Sequence, residues 1–462
     1  MDLEVLDQMR EQAEALLEKK DFHAVKNLLS DLPAQDSAEL IGEMPIEAAA
    51  TVFRLLPKDL AAQVLVELSA ERQEKLIAAF SDQELKPILE ELFADDMADL
   101  VEEMPANVVK RILKNADPEM RKDVNLILKF PKDSAGSIMT TEFVDLKAGV
   151  TVREAFERIR KVGPDKETVY TCYVIDPSRH ILGVVTVKDL LFADPEEAVQ
   201  NIMEENVVTV GTLDDKEKVA QTFDKYDFLA LPVIDAEKRL VGIVTFDDAM
   251  DVMREESTED FEKMAAINPS EKGYFETSIF SHAKNRILWL LVLMVSATLT
   301  GSILTHYENA FAAVPVLVAM IPMLMDTGGN CGSQSSTMVI RGLALGEMKP
   351  SSFLRVWFRE IRIALIVGAA LAAVNFGRVY LFYGSSYPDL VFKLALVTSI
   401  TLVFVVLLAK TLGVLLPMLA KKVRLDPAIM AAPLITTTVD ACSVLLYFAI
   451  ASRVFSDLIP AV

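Results

Sequence analysis

The sequence predicts a multidomain membrane protein. Its parts are an all-α superhelical domain, an α+β duplicated pair, a connecting helix and a five-helix α transmembrane domain. Three observations lead there. A helical repeat runs through residues 1–130, a longer block between 133 and 250 occurs twice, and apolar spans fill the end of the chain. Charge divides the same way. Residues 1–282 carry a net −27 and residues 283–462 a net +6, so a mean hydropathy of +0.31 coexists with 24% charged residues. Such acidity excludes nucleic acid as the partner and favours cations.

Residues 1–130 read as wholly helical. Met44-Pro45, Leu56-Pro57, Leu68-Ser69 and Phe80-Ser81 follow at 12-residue intervals, and Phe93-Ala94 and Met104-Pro105 continue the series with slight slips. Each unit is a two-turn apolar helix ended by Pro or Ser. A unit that short cannot bury a face alone, so the units are expected to stack into a superhelix. It serves as a regulatory arm or as a docking scaffold.

Residues 131–250 hold the second repeat, divided as 131–192 and 193–250. Val174-Ile-Asp176 and Gly183-Val-Val-Thr186-Val-Lys-Asp189 recur together, at one common offset, as Val233-Ile-Asp235 and Gly242-Ile-Val-Thr245-Phe-Asp-Asp248. Ser137-Ile-Met139 recurs as Asn201-Ile-Met203. Each copy reads helix, strand, turn, strand, helix. The pair resembles tandem CBS domains. That resemblance implies an adenosine nucleotide such as ATP at Thr186 with Asp189 and at Thr245 with Asp248, although many CBS pairs hold no ligand there.

Residues 251–281 are too charged for a bilayer and too periodic for a loop. Glu256, Glu259 and Asp260 stand at i, i+3 and i+4, on one helical face. Either the face is solvated or a divalent ion turns its repulsion into attraction.

The membrane domain, 282–462, shows apolar spans near 287–304, 311–340, 361–383, 391–419 and 427–455. With the amino terminus inside, ten Lys and Arg flank the inner ends and only Lys393 and Arg453 the outer. This places the acidic region in the cytosol and the carboxyl terminus outside. Asp426-Pro427 reads as an N-cap with Pro at the first helical position of the last span. Asp440 lies near the middle of that span, at a cost of about 2.5–3.5 kcal/mol if it faced lipid. It must face protein, a partner or water. Ile429, Pro433, Thr436 or Thr437, and Asp440 share its side of the helix. The second span holds Pro322, Asp326 and the run Thr327-Gly-Gly-Asn-Cys-Gly-Ser-Gln334, which is expected to loosen the helix. Gly329, Gly332 or Ser333, and Ser336 on one face either permit tight packing or leave room for a hydrated ion.

These parts together, over essentially the whole chain, resemble the MgtE family of magnesium channels. The run Thr327 to Gln334 and the stretch Pro427 to Asp440 carry the resemblance. It implies a homodimer in the cytoplasmic (inner) membrane with its pore on the twofold axis, and Asp440 as the acid that selects Mg²⁺. Asn330, Gly329, Gly332, Thr436 and Thr437 belong to the same expected pore. It further implies a gating helix within 251–281 and regulatory Mg²⁺ among the cytosolic domains. The acids that would hold it are Asp95, Asp96, Asp215, Glu217, Asp224, Asp227, Asp248, Glu256, Glu259, Asp260 and Asp426. Two Asp440 carboxylates across a twofold axis would repel when empty, and a dication that keeps its waters would relieve them. The competing reading is an ion-coupled secondary carrier, which also places an acid at the midplane; no inverted repeat accompanies it. An enzyme is not expected, since no phosphate loop, zinc motif or nucleophile signature occurs.

Overall fold

The computed structural model describes residues 3–458 apart from 31, 271, 272, 276, 309–311, 313, 431 and 457. Residues 311 and 313 of the expected second span and 431 of the fifth thus lie outside the described residues. The chain forms two compact units, Met1–Met253 and Arg254–Val462.

The first unit opens with helices Leu3–Glu18 and Phe22–Ser30 and continues with the repeat. The residues that cap its helices are Pro33, Pro45, Pro57, Ser69, Ser81, Phe93, Pro105 and Asp117, an evenly spaced series with no break. The slips expected from residue type therefore vanish when position is followed instead. An extended backbone at the cap is what recurs, and Pro, Ser, Phe and Asp all supply it. Helices two apart stack on each other: Ala34–Glu43 on Lys58–Val66, Ile46–Phe53 on Ala70–Ala79, and Lys58–Val66 on Asp82–Leu89. Leu40, Val52, Val64, Leu76 and Ile88 fill the shared core.

The duplicated pair forms two three-stranded sheets. In the first, β1 (Val144–Lys147) runs parallel to β2 (Thr171–Ile175), which pairs antiparallel with β3 (Ile181–Thr186). In the second, β4 (Val210–Gly211), β5 (Ala230–Ile234) and β6 (Leu240–Thr245) repeat that order. The opening strands β1 and β4 are additions to the expected pattern. Each hairpin turns on its recurring Asp. The Asp176 carboxylate accepts from the backbone N–H of Ser178 and His180, and Asp235 from those of Glu237 and Arg239.

The recurring glycines mark an exchange between the copies. A Cβ on Gly242 would stand 2.7 Å from the Met139 sulfur and from the Thr140 carbonyl; one on Gly183 would stand 2.8 Å from Met203 and the Glu204 carbonyl. The segment that opens each copy thus lies across the sheet of the other, and only glycine leaves room for it.

The connecting helix is Phe246–Met264. It begins inside the second copy and stops short of the expected 281, because Ala266 takes a left-handed backbone at φ 55° and Pro269 follows. In the second unit the membrane-domain helices are Ile279–His306, Ile321–Ala344, Phe353–Tyr383, Val391–Lys422 and Ala432–Val454. Four described segments are long and apolar enough to cross a membrane: Ile279–His306, Pro350–Tyr383, Val391–Lys422 and Pro427–Val454. Ile321–Ala344 is long enough, at about 36 Å, but too polar to join them. It is also unbroken, contrary to the expected loosening. Pro322 sits in its first turn, where a missing N–H costs nothing. Asp426 caps a 3-10 turn, Pro427–Met430, rather than the last helix itself: its carboxylate accepts from Ala428 N–H at 2.8 Å. Ile429 thereby leaves the helical face it was expected to share with Asp440.

Candidate functional site

In the membrane domain, the second helix is asymmetric. Asp326, Asn330, Gln334, Thr337 and Arg341 are exposed, while Gly328, Gly329, Gly332, Ser335 and Ser336 are buried. At ~100° per residue the exposed five fall within one narrow arc. They form a polar seam along an otherwise apolar domain. The last helix flanks it, with Thr436, Thr437 and Asp440 half-buried beside the seam, and Asp326 is close enough to Asp440 to act on it electrostatically. Both threonine hydroxyls donate back to the Pro433 carbonyl, at 2.9 and 2.8 Å.

Gly329 and Gly332 turn away from the seam. A Cβ on Gly329 would meet Thr436 Cγ2 at 2.9 Å, and one on Gly332 would meet Ile435 Cγ2 at 2.7 Å. Their place is close helix packing. Cys331 is buried among Ala364, Val406, Ala409, Ile435 and Val439. Asp326 and Gln334 join the seam although they are not among the expected pore residues. Their signal is the i, i+4, i+8 spacing of polar residues 326, 330 and 334 within an apolar span.

In the first unit, acids gather where helix Ala94–Glu103 meets the start of the connecting helix. Asp95 is 7% exposed, and burial with the neighbouring Asp248, Asp96 and Glu167 holds it well above the usual carboxylate range. Burial, with Asp247, pushes Asp96 up to about 6. Asp248 rises to about 7, chiefly by burial, although its hydrogen bonds from Thr245 work against the rise. Partial desolvation, with help from Asp248, raises Asp99 to about 7 and Glu167 to about 8, although Asp99 keeps an exposed face. Asp99, Glu167 and Asp247 escaped the sequence reading because the cluster draws on segments far apart in the chain.

The other expected regulatory acids lie elsewhere. Asp215 caps helix Lys216–Tyr226 and Glu217 follows in its first turn, whereas Asp224 and Asp227 lie at its far end, ~15 Å away. Within one chain those two pairs cannot share an ion. Glu256, Glu259 and Asp260 stand on the connecting helix. There Lys263 bonds both Glu259 and Asp426, the latter at 2.7 Å. Burial opposes the charge of Lys263, but these two carboxylates outweigh it and hold its pKa above the ordinary lysine value. Among the described residues no three His, Cys, Asp or Glu side chains converge as direct ligands of one ion.

The first Thr-x-x-Asp element is a capping box, and in the second the Thr245 N–H and hydroxyl both donate to the Asp248 carboxylate. Asp189 N–H donates to Thr186 Oγ1 at 3.1 Å, while the Thr186 N–H donates to the Asp189 carboxylate at 3.1 Å. Asp189 is exposed, so the first copy stays open to a ligand. Asp248 of the second element belongs to the acidic cluster.

The sequence matches the family description "divalent cation transporter" (MgtE) over residues 321–450, the MgtE intracellular N domain over 32–133, and CBS domains over 135–196 and 199–255. It is 37% identical over 342 residues to the magnesium transporter MgtE of Thermus thermophilus, covering 74% of both chains. Identity to the Bacillus subtilis magnesium transporter MgtE is 34% over 75% of each chain. The crystal structure of the cytosolic domain of the Mg²⁺ channel MgtE in complex with ATP superposes with a TM-score of 0.51 at 39% identity, covering 53% of this chain and 99% of that one. With its helical domain, CBS pair and apolar helical domain all matched in order, the chain belongs to the MgtE family.

Proposed function

We propose that this protein is a Mg²⁺-selective channel that admits Mg²⁺ across the cytoplasmic membrane. The observation that carries the proposal is the exposed polar seam beside Asp440 in a domain otherwise built of apolar helices. Polar groups at membrane depth belong against protein or water. In a homodimer with five spans per chain, two seams facing across the twofold axis enclose a hydrated path. Mg²⁺ keeps several waters, so the path needs width, amide and hydroxyl oxygens, and negative charge. Asn330, Gln334, Thr436 and Thr437 supply the oxygens; Asp440 and Asp326 supply the charge. Gly329 and Gly332 set the helix spacing that positions them.

The same reading gives the acids outside the membrane domain a regulatory role. Protons or Mg²⁺ discharge the cluster of Asp95, Asp96, Asp99, Asp248 and Glu167, and so favour the compact, closed form. Asp215, Glu217, Asp224, Asp227, Glu256, Glu259, Asp260 and Asp426 add weaker seats. The N-terminal domains face the cytosol, where rising Mg²⁺ closes the channel, and the carboxyl terminus faces outward. ATP binds at the first CBS copy, at Thr186 and Asp189.

The test is Mg²⁺ flux into liposomes. Asp440→Asn keeps shape and removes charge, so flux falls sharply while the protein stays folded. Normal flux in Asp440→Asn overturns the proposal. Flux that requires a proton or Na⁺ gradient favours the coupled carrier instead.

A further inference from the structure

The middle of the second membrane-domain helix is held differently from its ends. Between Leu324 and Val339 every buried residue is Gly, Cys or Ser, whereas Ile321 and Leu324 at one end and Val339, Ile340 and Leu343 at the other pack into apolar cores. In that middle stretch a polar knot adds direction, beside the longer contact of Ser336 Oγ with the Met430 carbonyl at 3.4 Å. Ser335 Oγ donates to Glu360 of helix Phe353–Tyr383 at 2.6 Å. Lys410 of helix Val391–Lys422 donates to Ser335 Oγ at 2.9 Å and to the same Glu360 oxygen at 3.2 Å. Lys410 is 5% exposed, and the Glu360 side chain is 15% exposed. Beside them Trp357 donates to Thr411 at 3.2 Å, tying the same two helices together. Charges inside apolar spans persist where they are paired, and they mark function. This pair faces away from the seam: Ser335 lies about 140° around the helix from Asn330.

We propose that Glu360 and Lys410 are positioning residues. Acting through Ser335, they lock the rotation of the second helix so that Asp326, Asn330 and Gln334 stay on the conducting face and Cys331 stays inside. This rests on the reading of the seam as the Mg²⁺ path. A turn of about 100°, one residue's worth, would put Cys331 where Asn330 stands. Removing one charge leaves the other buried without its ionic partner, and the middle stretch, where only small residues are buried, answers by turning.

Full-length protein in liposomes provides the test, with Mg²⁺ flux and thiol labelling read together. A small charged thiol reagent is applied, and modified cysteines are located by peptide mass spectrometry. The variants are Ser335→Ala, Glu360→Gln, Lys410→Met and the exchange Glu360→Lys with Lys410→Glu. Labelling of Cys331 is expected to be slow in the wild type and to rise about ten-fold or more in each single variant, as maximal flux falls. The exchange is expected to recover both toward wild type. Ser335→Ala leaves the charges paired, so it changes labelling without the folding penalty of a lone charge. A second readout does not depend on conduction. Gly329→Cys with Thr436→Cys places two Cβ atoms near disulfide distance, since a Cβ on Gly329 would lie 3.4 Å from Thr436 Cβ. That disulfide should form about ten-fold more slowly once the triad is broken. Unchanged cross-linking and unchanged Cys331 labelling in folded variants overturn the proposal. If Asn330→Cys in an otherwise wild-type chain resists the charged reagent, the conduction reading fails, and the cross-link alone decides the rotation.

Discussion

Titration of the acidic cluster provides the sharpest test of the regulatory reading. Asp248 moves from an ordinary aspartate value of 3.8 to about 7, mainly by burial. A carboxyl whose value is raised in the compact state binds protons more tightly there. Its protonation therefore stabilises that state as pH falls, with no gain above about pH 8 and the full gain below about pH 4. Between pH 8.5 and 5.5 Asp248 alone contributes about 2 kcal/mol. For a unit the size of residues 1–253 this raises Tm by about 4–8 °C. Magnesium competes for the same charge. At a concentration 100 times its Kd at pH 8.5 it adds about 2.7 kcal/mol. At pH 5.5 it must displace the Asp248 proton, which weakens binding about thirty-fold and leaves about 0.9 kcal/mol. The assay is thermal unfolding of residues 1–253, a compact unit here and close to the portion crystallised alone from a relative, at both pH values with and without Mg²⁺. Asp248→Asn should raise the Mg²⁺-free Tm at pH 8.5 and flatten the pH dependence. The reasoning fails if the Mg²⁺-free Tm is flat or falls from pH 8.5 to 5.5, with an equal Mg²⁺ gain at each.

Three further outcomes are expected. With single cysteines along the second helix, positions 326, 330 and 334 should react with charged thiol reagents and buried Cys331 should not; uniform reactivity would contradict the seam. Gly332→Ala sets a methyl carbon 2.7 Å from Ile435 and should destabilise the membrane domain by about 1–3 kcal/mol, seen as a lower Tm in detergent. Replacing Glu256, Glu259 and Asp260 together with Ala should leave flux at internal Mg²⁺ levels that silence the wild type; closure at the unchanged level would remove that face from the sensor.

Much of the architecture is legible in the sequence because it repeats. The evenly spaced caps and the paired Gly-x-x-Thr-x-x-Asp elements survive as patterns whatever residues lie between them. Strands β1 and β4 are not legible, since such short runs carry too little alternation to register. Asp440 stands out as a lone charge in an apolar run, and Asn330 as an amide in a glycine cluster. Lys410 carries the same kind of signal, whereas Glu360 stands between Arg359 and Arg362 at the charged edge of its span, and only the fold shows that they meet. Lys263 follows Glu259 by one helical turn, which hints at their pairing, but Asp426 lies 163 residues away from Lys263. The acidic cluster is invisible for a related reason. Asp95, Glu167 and Asp248 belong to three widely separated segments, one in the helical repeat and one in each CBS copy, and tertiary structure alone brings them together.

The crossing of the two CBS copies bears on how the chain is made. Met139 emerges from the ribosome long before Gly242, the residue it will cover, and the Thr140 backbone pairs with Ile243. Until the second copy has been synthesised, the segment around Met139 has no sheet to lie on, and its apolar side chain stays in solvent. Met203 arrives sooner to close over Gly183. The first sheet can therefore be covered while translation continues, and the second waits on residues already made. A chain arrested between 203 and 242 would hold one finished half and one unsheltered strap, a form that proteases and chaperones can tell from the completed protein.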